Sequence, residues 1–431
     1  MRTKAMLAAA VVIVMAAVAG AGVQNARAVL PPGNTAEQWD KIAEDTVVGS
    51  GAFQNEGLIY MAYASNAMYR AVAPGERRGQ SADAALVEAA YTTLSHYFPA
   101  QAATLDALHS EALAAIPDDQ SKVVGMRYGA LAAAKEIAER DGDGLVTPIA
   151  STSAFPTLAP GPGVWRLTPP AYLAPQTPWV SSVRPFILNS PDQFLPAPPP
   201  LLSSQEWATA FSELKTDGAS TNPNTAETTV AKFWTANVIR QYNRLARDVA
   251  TAKSLDLVDT ARLVAMVNTV GADAQISVMN AKYHYLFWRP VTAIDPTSVT
   301  ADGFGPTPGY SDGNAATTEQ AGWRPLITTP NHPEYPAAHG SLTGSESQVF
   351  SDFLGTDAID VDIHGFDPAG PAGNLNAVRH FATADDLRAE IVNARVWGGM
   401  HYRFSGEAGV KLGREVADYD LAHAFAGNGD K

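Results

Sequence analysis

Two cationic side chains lie close together in an unusually aromatic segment, AKYHYLFWRPVTAI at residues 281–294. On a helix, Lys282 and Arg289 would share one face about two turns apart, and Pro290 would end that helix. Two cations that face the same way inside an apolar segment require a counter-anion. The pattern therefore indicates an anion site. The alternative is a half-buried helix whose cations extend along its surface to reach water.

A histidine follows several prolines in TPNHPEYPAAHGSLTG, residues 329–344. Pro336 favours a helix start, which predicts that His339 lies in the first turn. Free backbone N–H groups at a helix start bind oxyanions, and an imidazole there can donate a proton to a bound oxyanion. A histidine with a purely structural role remains the alternative for His339.

A third segment, NARVWGGMHYRFS at residues 393–405, contains an arginine and a histidine separated by two glycines. Arg395 and His401 would not share a face of a straight helix. A helix end or kink at Gly398 and Gly399 would bring them together, and glycines also let the backbone approach a ligand closely. We therefore expect the helix to be interrupted here.

The composition of the chain limits the chemistry available to it. The 431 residues are 46% hydrophobic, which is enough for a large buried core in a soluble globular protein. A formal net charge of -14 argues against nucleic acid or an anionic membrane surface as a partner. The absence of cysteine excludes disulfides, thiolate metal sites and cysteine nucleophiles.

The elements that must position these residues are predicted to be helices. Helical periodicity runs from about 34 to 140 and resumes at about 205, and no convincing strand alternation or internal repeat is present. Asp141 to Gly144 is interpreted as a helix-terminating turn in preference to a calcium loop. The sequence thus predicts a mainly α protein of two packed helical bundles. The strongest helical segments after 205 are 226–252, 256–287, 338–353, 384–397 and 405–425.

The region from 147 to 203 is rich in proline and interrupts the helical pattern. Trp165, Tyr172, Trp179, Phe186 and Phe194 are spaced along it. We predict an extended strap that packs over the helical body in preference to an interdomain linker. Residues 29–431 would then form one large domain, in which 204–431 is the catalytic bundle.

The N-terminus has the pattern of a signal peptide. Arg2 and Lys4 precede an apolar run, and Ala26-Arg27-Ala28 is typical of a cleavage site. We predict a signal peptide at 1–28 and a secreted, periplasmic or extracellular mature protein. A retained membrane anchor is the alternative, but the apolar stretch is shorter than the roughly 20 residues that a span needs.

The three segments in this order resemble the motifs of the vanadium haloperoxidases and the type 2 phosphatidic acid phosphatases. Those motifs are Lys-x6-Arg-Pro, Pro-x-x-His and Arg-x5-His. The segments WRPVTAI, TPNHPEYPAAH, GGMHYRFSGEAG, GVWRLTPPAY and PFILNSPDQF are similar to the bacterial secreted branch of the haloperoxidases. A second Trp-Arg-Pro at 323–325 lacks a lysine seven residues earlier, so Arg324 is placed outside the site.

The resemblance implies a role for each matched residue. Lys282, Arg289, Arg395 and the backbone N–H of Ala338 would bind the oxygens of vanadate or of phosphate in the same site. His401 would coordinate vanadium, and His339 would be the general acid–base. His332 would lie on the halide side of the pocket, where it favours bromide over chloride. The alternative is that His332 is a histidine of a loop without a role in the site.

The sequence departs from the family pattern at three positions. Ala337 stands where the family has a serine that contacts the oxyanion, and Ala338 replaces a glycine. Ser341 is a candidate to replace the lost hydroxyl. Ser405 stands where many relatives have an aspartate that orients the histidine equivalent to His401. His401 would therefore be less basic than in those relatives, or another group would orient it.

The resemblance implies an enzyme that uses vanadate and hydrogen peroxide to oxidise halide to a hypohalous species, with a small organic molecule as acceptor. A second hypothesis is a secreted acid phosphatase in which His401 is the nucleophile and His339 the general acid. A third is an oxyanion-binding protein without turnover. No nucleic acid or membrane is expected as a partner of the mature chain, and a homodimer is compatible with the resemblance.

Overall fold

A computed structural model describes residues 28–73, 79–145, 158, 161–298, 311–370 and 375–425. The predicted signal peptide lies outside these ranges except for Ala28, as does the start of the predicted strap up to residue 157. Among the described residues, none of the helices combines the length and the apolar character needed to cross a membrane. The helices are α1 (Thr35–Gly49), α2 (Gln54–Val72), α3 (Ala82–Tyr97), α4 (Ala102–Ala114), α5 (Gln120–Arg140), α6 (Gln205–Asp217), α7 (Thr225–Phe233), α8 (Val238–Lys253), α9 (Leu257–Tyr285), α10 (Pro290–Ile294), α11 (Ala338–Leu354), α12 (Ala384–Trp397) and α13 (Arg403–Ala424).

Side-chain caps fix where most of the long helices begin. The Asn34 side chain accepts hydrogen bonds from the N–H groups of Ala36 and Glu37, and the Glu37 carboxylate accepts one from the Asn34 N–H. This reciprocal pair satisfies donors that a helix start leaves free. Side chains of the same polar class cap α3, α5, α6, α7, α8, α9 and α12, namely Ser81, Asp119, Ser204, Asn224, Asn237, Asp256 and Thr383.

Helix α9 is the central element of the fold. It is buried on nearly all sides and contacts α1 and α2, which precede the strap, as well as α8, α11 and α13, which follow it. A helix that is apolar around its circumference has to be covered in this way. The prediction of a mainly α protein built from packed helical bundles is confirmed. The last turn of α9 carries Lys282 into the interior.

The predicted strap packs against the helical body over its described residues. Trp165, Trp179, Phe186 and Phe194 contact one of the hydrophobic clusters that includes α9. Three successive strap N–H groups, from residues 186 to 188, donate to the buried Asp273 carboxylate of α9 at 2.7, 2.9 and 3.1 Å. These bonds replace those that a proline-rich segment cannot make within itself. The strap is therefore anchored to the helix that carries Lys282.

Helices α11 and α13 cross at very short distance because glycines line their contact. A Cβ atom on Gly413 would stand 1.9 Å from the Ser341 carbonyl oxygen, and one on Gly344 would stand 2.4 Å from the Val410 carbonyl oxygen. Only residues without a side chain allow this approach. The crossing holds the beginning of α11, with His339, beside the beginning of α13, which follows His401.

The structure contains one feature that the sequence pattern did not predict. Val361–Gly365 and Ala377–Phe381 form an antiparallel two-stranded sheet in which Val361 pairs with Phe381. Its burial alternates along the first strand, but five residues are too few for that alternation to be distinctive in sequence. The sheet lies against α8 and the strand at 377–381 also contacts α12.

Two other local expectations can be compared with the fold. The predicted helix at 226–252 is divided into α7 and α8, because Asn237 caps a new helix start after Phe233. The turn predicted after α5 is confirmed. Asp143 accepts hydrogen bonds from Tyr63 Oη and from Arg140 Nε, the latter at 2.9 Å, so its carboxylate is engaged within the turn.

Candidate active site

Lys282 lies in the last turn of α9, and its side chain is fully buried. Its Nζ donates to the carbonyl oxygens of Pro333 at 2.9 Å and Glu334 at 2.8 Å. These carbonyls belong to the segment that leads into α11. An ammonium group has three donors, so one N–H of Lys282 is available to a further acceptor.

Arg289 is not on the helix of Lys282, and this corrects the prediction from their spacing. Helix α9 ends at Tyr285, where Leu286 takes a left-handed conformation with a φ of 47° and closes the helix. Arg289 is extended, and Pro290 begins α10 instead of ending α9. Proline is favoured at a first helical position because it has no N–H to leave unsatisfied. The two cations nevertheless converge, since the chain turns back on itself between them.

The Arg289 guanidinium is fully buried and held by four hydrogen bonds. Nε donates to the His332 carbonyl at 2.9 Å, and Nη1 donates to the Met400 carbonyl at 3.0 Å. Nη2 contacts His332 Nδ1 at 3.0 Å, and Nη1 contacts His401 Nε2 at 3.1 Å. Arg289 therefore joins the segment before α11 to the segment before α13.

The predicted interruption at the paired glycines is confirmed. Helix α12 ends at Trp397, and Gly399 has a φ of 73°, which reverses the chain. The N–H groups of Met400 and His401 donate to the Arg395 carbonyl at 3.2 and 3.4 Å. Arg395 and His401 are thereby brought to one place. Nη2 of Arg395 contacts the Met400 sulfur at 3.2 Å, and its Nε has no hydrogen-bond partner among the described residues.

The residue that the sequence analysis missed is Glu334. Its Oε1 accepts from His401 Nδ1 at 2.9 Å and from the Tyr402 N–H at 3.1 Å, and all three groups are buried. Glu334, 67 positions before His401, is thus a group other than residue 405 that hydrogen-bonds the His401 ring. An acidic residue between two prolines, five before His339, is the signal that could have identified it.

His339 lies in the first turn of α11, as predicted. Ala337 is the N-cap, and within the described residues no side chain caps this helix start. The N–H groups of the first turn, including that of Ala338, are therefore available to an anion, and Arg395, Lys282 and Arg289 lie close enough to His339 to lower its pKa. The helix start adds the positive end of a helix dipole to the site.

A chamber of about 160 Å³ lies beside His339. Imidazole groups of His332 and His339 line it together with the side chains of Asn55, Gln275, Met279 and Ala338. The resemblance placed His332 on the halide side of the pocket, and the structure shows it in the wall of this chamber. The lining thus combines apolar groups with side-chain amides that can hydrogen-bond a small molecule.

The site carries an excess of buried positive charge. Burial lowers the pKa of Lys282 well below its ordinary value, and neighbouring Arg289 lowers it further. Burial also lowers the pKa of Arg289 to about 10 and, together with Arg289, that of Arg395 to about 9. One buried carboxylate, Glu334, faces them, and burial raises its pKa to about 7. Three cations against one acid leave a site that an anion would stabilise.

The three histidines are neutral in this field. Burial and the adjacent cations lower the pKa of His332, His339 and His401 well below the ordinary value. A neutral imidazole keeps one nitrogen lone pair for coordination or proton transfer. Within the described ranges, no group of three or more histidine or acidic side chains is arranged to hold a metal cation. The donor set therefore suits a tetrahedral oxyanion such as vanadate or phosphate.

The remaining candidate residues lie at the edge of the site or outside it. The Ser341 hydroxyl donates to the Ala274 carbonyl of α9 at 3.2 Å, so it does not replace the hydroxyl lost at Ala337. Ser405 donates to the Glu334 carbonyl at 3.4 Å. Arg324 is half exposed and forms an ion pair with Asp295, which places it outside the site as predicted.

Comparisons with known proteins agree with this geometry. Residues 262–427 match the family model described as the VCPO second helical-bundle domain. The chain is 26% identical over 274 residues to the vanadium chloroperoxidase of Curvularia inaequalis. This alignment covers 50% of this chain and 44% of that protein. The chain thus spans under half the length of this curated relative.

Two solved structures share the fold over nearly the whole chain. A bacterial vanadium-dependent iodoperoxidase superposes with a TM-score of 0.71 at 22% identity, covering 92% of this chain and 98% of that one. A holo-type bacterial vanadium-dependent chloroperoxidase superposes with a TM-score of 0.65 at 18% identity, covering 89% and 92%. The fold expected from the resemblance is therefore confirmed: residues 262–427 match the model of a VCPO second helical-bundle domain, and the chain has the fold of the vanadium haloperoxidases.

Proposed function

We propose that the chain is a vanadate-dependent enzyme that uses hydrogen peroxide to oxidise halide to a hypohalous species. The observation that carries the proposal is the set of three buried cations around His401, which one carboxylate, Glu334, offsets among the described residues. The names of the relatives, a chloroperoxidase and an iodoperoxidase, support the same chemistry.

The residues present fit a bound vanadate. The third N–H of Lys282, the unpartnered Nε of Arg395 and the first-turn N–H groups of α11 would hold its oxygens. Nε2 of His401 would coordinate the metal. When bound, vanadate supplies a Lewis-acidic centre that activates peroxide for oxygen transfer to halide while vanadium keeps its oxidation state.

The chain's own contribution is to stabilise charge and to move protons. The cations stabilise negative charge on the oxyanion in a site with little water, where such interactions are strong. His339 is neutral near pH 7 because its pKa is lowered, so its ring can accept a proton from peroxide and return it later. A bound anion offsets the surrounding cations and makes His339 a stronger base.

We further propose that bromide is the preferred halide. The proposal rests on His332, which lines the chamber and contacts Arg289 Nη2 through its Nδ1. The relatives named above are chloroperoxidases and an iodoperoxidase. Comparing the rates of halide oxidation with chloride, bromide and iodide therefore tests this preference directly. We also propose that the protein is secreted after cleavage near Ala28. The N-terminal sequence of protein recovered from the culture medium tests this.

One experiment separates the proposed activity from the alternatives. Mature protein is incubated with vanadate, hydrogen peroxide and bromide, and bromination of a phenol indicator is measured. Hydrolysis of p-nitrophenyl phosphate is measured in parallel without vanadate. We expect bromination that requires vanadate and falls to background in His401→Ala. His380→Ala is the matched control, because His380 is exposed on the two-stranded sheet.

Three results would contradict the proposal. Phosphate release without any bromination would assign the pocket to a phosphatase that uses His401 as nucleophile. Binding of vanadate without either reaction would leave an oxyanion-binding protein. Bromination that persists unchanged in His401→Ala would show that the oxidising site lies elsewhere.

A further inference from the structure

One glutamate connects the histidine and the lysine of the candidate site. The Glu334 side chain accepts two hydrogen bonds on Oε1, from His401 Nδ1 and the Tyr402 N–H. The Glu334 carbonyl accepts from Lys282 Nζ at 2.8 Å, and its N–H donates to the Phe287 carbonyl at 2.9 Å. Glu334 therefore contacts two segments that are distant in sequence, 282–287 and 401–402, and each of them carries a proposed ligand residue.

The hydrogen bonds around His401 allow only one arrangement of its ring. Arg289 Nη1 lies 3.1 Å from His401 Nε2, and a guanidinium has donors only. His401 Nε2 must then be the acceptor, and Nδ1 must carry the proton that Glu334 accepts. The lone pair of Nε2 is thereby kept on the side of the three cations.

The position of Ser405 explains why a carboxylate has to come from elsewhere. Ser405 is fully buried, and its hydroxyl is 3.4 Å from the Glu334 carbonyl. It therefore supports the backbone of Glu334 and makes no hydrogen bond to the ring of His401. The carboxylate that many relatives carry at this position is supplied here from the segment before α11.

We propose that Glu334 is the positioning residue of this site: it holds His401 with Nδ1 protonated and Nε2 unprotonated, so that the Nε2 lone pair, which accepts from Arg289 in the vanadate-free protein, can bind vanadate. The inference rests on the proposed function, in which His401 is the vanadium ligand. Glu334 does not touch the oxyanion itself and acts through His401. Carboxylates that hydrogen-bond a metal-binding histidine fix its tautomer and raise its basicity.

Two substitutions separate this role from a merely structural one. Glu334→Gln keeps an oxygen that can accept both hydrogen bonds but removes the charge. Glu334→Met has a similar volume and removes the acceptor as well. A glutamate that only holds the loop in place would be replaced by glutamine without effect. Glu346→Gln is the matched control, because Glu346 is a buried glutamate of α11 without a hydrogen-bond partner among the described residues.

The first readout is the tautomer of His401 in vanadate-free protein, measured by ¹⁵N NMR on histidine-labelled samples. The signal is assigned by comparison with His401→Gln. We expect a protonated Nδ1 and an unprotonated Nε2 in the wild type and in Glu334→Gln. In Glu334→Met we expect a loss of this pattern. A wild-type ring protonated at Nε2, or an unchanged pattern in Glu334→Met, would overturn the inference.

The second readout is the affinity for inorganic vanadate, measured by titration calorimetry. We expect Glu334→Gln to bind vanadate about 10- to 100-fold more weakly than the wild type, and Glu346→Gln to bind it normally. Equal affinity of Glu334→Gln and wild type would overturn the role of Glu334 while leaving the proposed function intact. A wild type that binds no vanadate would refute the proposed function, and the tautomer measurement would still decide whether Glu334 positions the ring.

Discussion

Replacing Arg395 by methionine is expected to stabilise the vanadate-free protein while abolishing its response to vanadate. Arg395 is buried, its Nε has no hydrogen-bond partner among the described residues, and it faces other cations. The pKa of Arg395 falls from 12.5 to about 9. Because each pKa unit corresponds to about 1.4 kcal/mol, burying the charged guanidinium lowers the free energy of unfolding by on the order of 5 kcal/mol. Methionine retains much of the packing. We therefore expect a net gain of about 1–4 kcal/mol in the free energy of unfolding.

The response to vanadate should change in the opposite direction. A ligand present at 100 times its dissociation constant stabilises the folded state by about 2.7 kcal/mol. We expect this increase in the wild type and none in Arg395→Met, because one of three cations is lost. The assay is thermal unfolding with and without vanadate, followed by circular dichroism.

The matched control for Arg395→Met is Arg388→Met on the same helix. Arg388 is equally buried but is bonded to Ser347, Gln348 and Asp385, away from His401. Its removal should destabilise the protein and leave the vanadate response intact. If Arg395→Met loses stability as Arg388→Met does, or if it still responds to vanadate, then Arg395 is not a destabilising cation that binds vanadate.

Other parts of the structure give further predictions. Asp420 is buried without a hydrogen-bond partner among the described residues, and burial raises its pKa to about 10. Between pH 4 and pH 10 the folded state keeps a proton that the unfolded state releases, so stability falls as pH rises, by up to about 1.4 kcal/mol per pH unit. Asp420→Asn should therefore have a higher free energy of unfolding than the wild type in urea, and the difference should be larger at pH 9 than at pH 5. A difference that does not change with pH would contradict this. Gly413→Ala should cost about 1–3 kcal/mol and weaken vanadate binding, because its Cβ would clash with the Ser341 carbonyl. Gly49→Ala, where a Cβ would meet only Gln101 Oε1 at an ordinary contact distance of 3.9 Å, should do neither. Asp273→Ala removes the acceptor of three strap N–H groups and should increase proteolysis of the strap, while a strap cleaved at the wild-type rate would show that other contacts hold it.

The helices could be predicted from sequence because their signals are local. Asn34 and Glu37 form a capping box, and α12 begins and ends where the apolar periodicity does. Proline density likewise predicted the strap, and its aromatic residues predicted that it packs on the helical body. Each of these features depends on neighbouring residues and the apolar pattern.

The site could be predicted only in part, because its geometry depends on contacts between distant segments. Arg289 was expected on α9, but Leu286 closes that helix in a left-handed conformation that leucine seldom adopts. Glu334 was missed because its partner, His401, is 67 residues away. Its spacing has no periodic signature, and only the fold brings the carboxylate to the imidazole. The short sheet was missed because its strands are only five residues long.

The most direct test of the central claim is a crystal structure of the mature protein grown with vanadate. We expect vanadium within bonding distance of His401 Nε2, with the vanadate oxygens contacting Lys282, Arg289 and Arg395. The anomalous signal of vanadium identifies the ion without reference to activity. Vanadium bound away from His401, or a pocket that stays free of vanadate at saturating concentration, would contradict the proposal that His401 is the vanadium ligand.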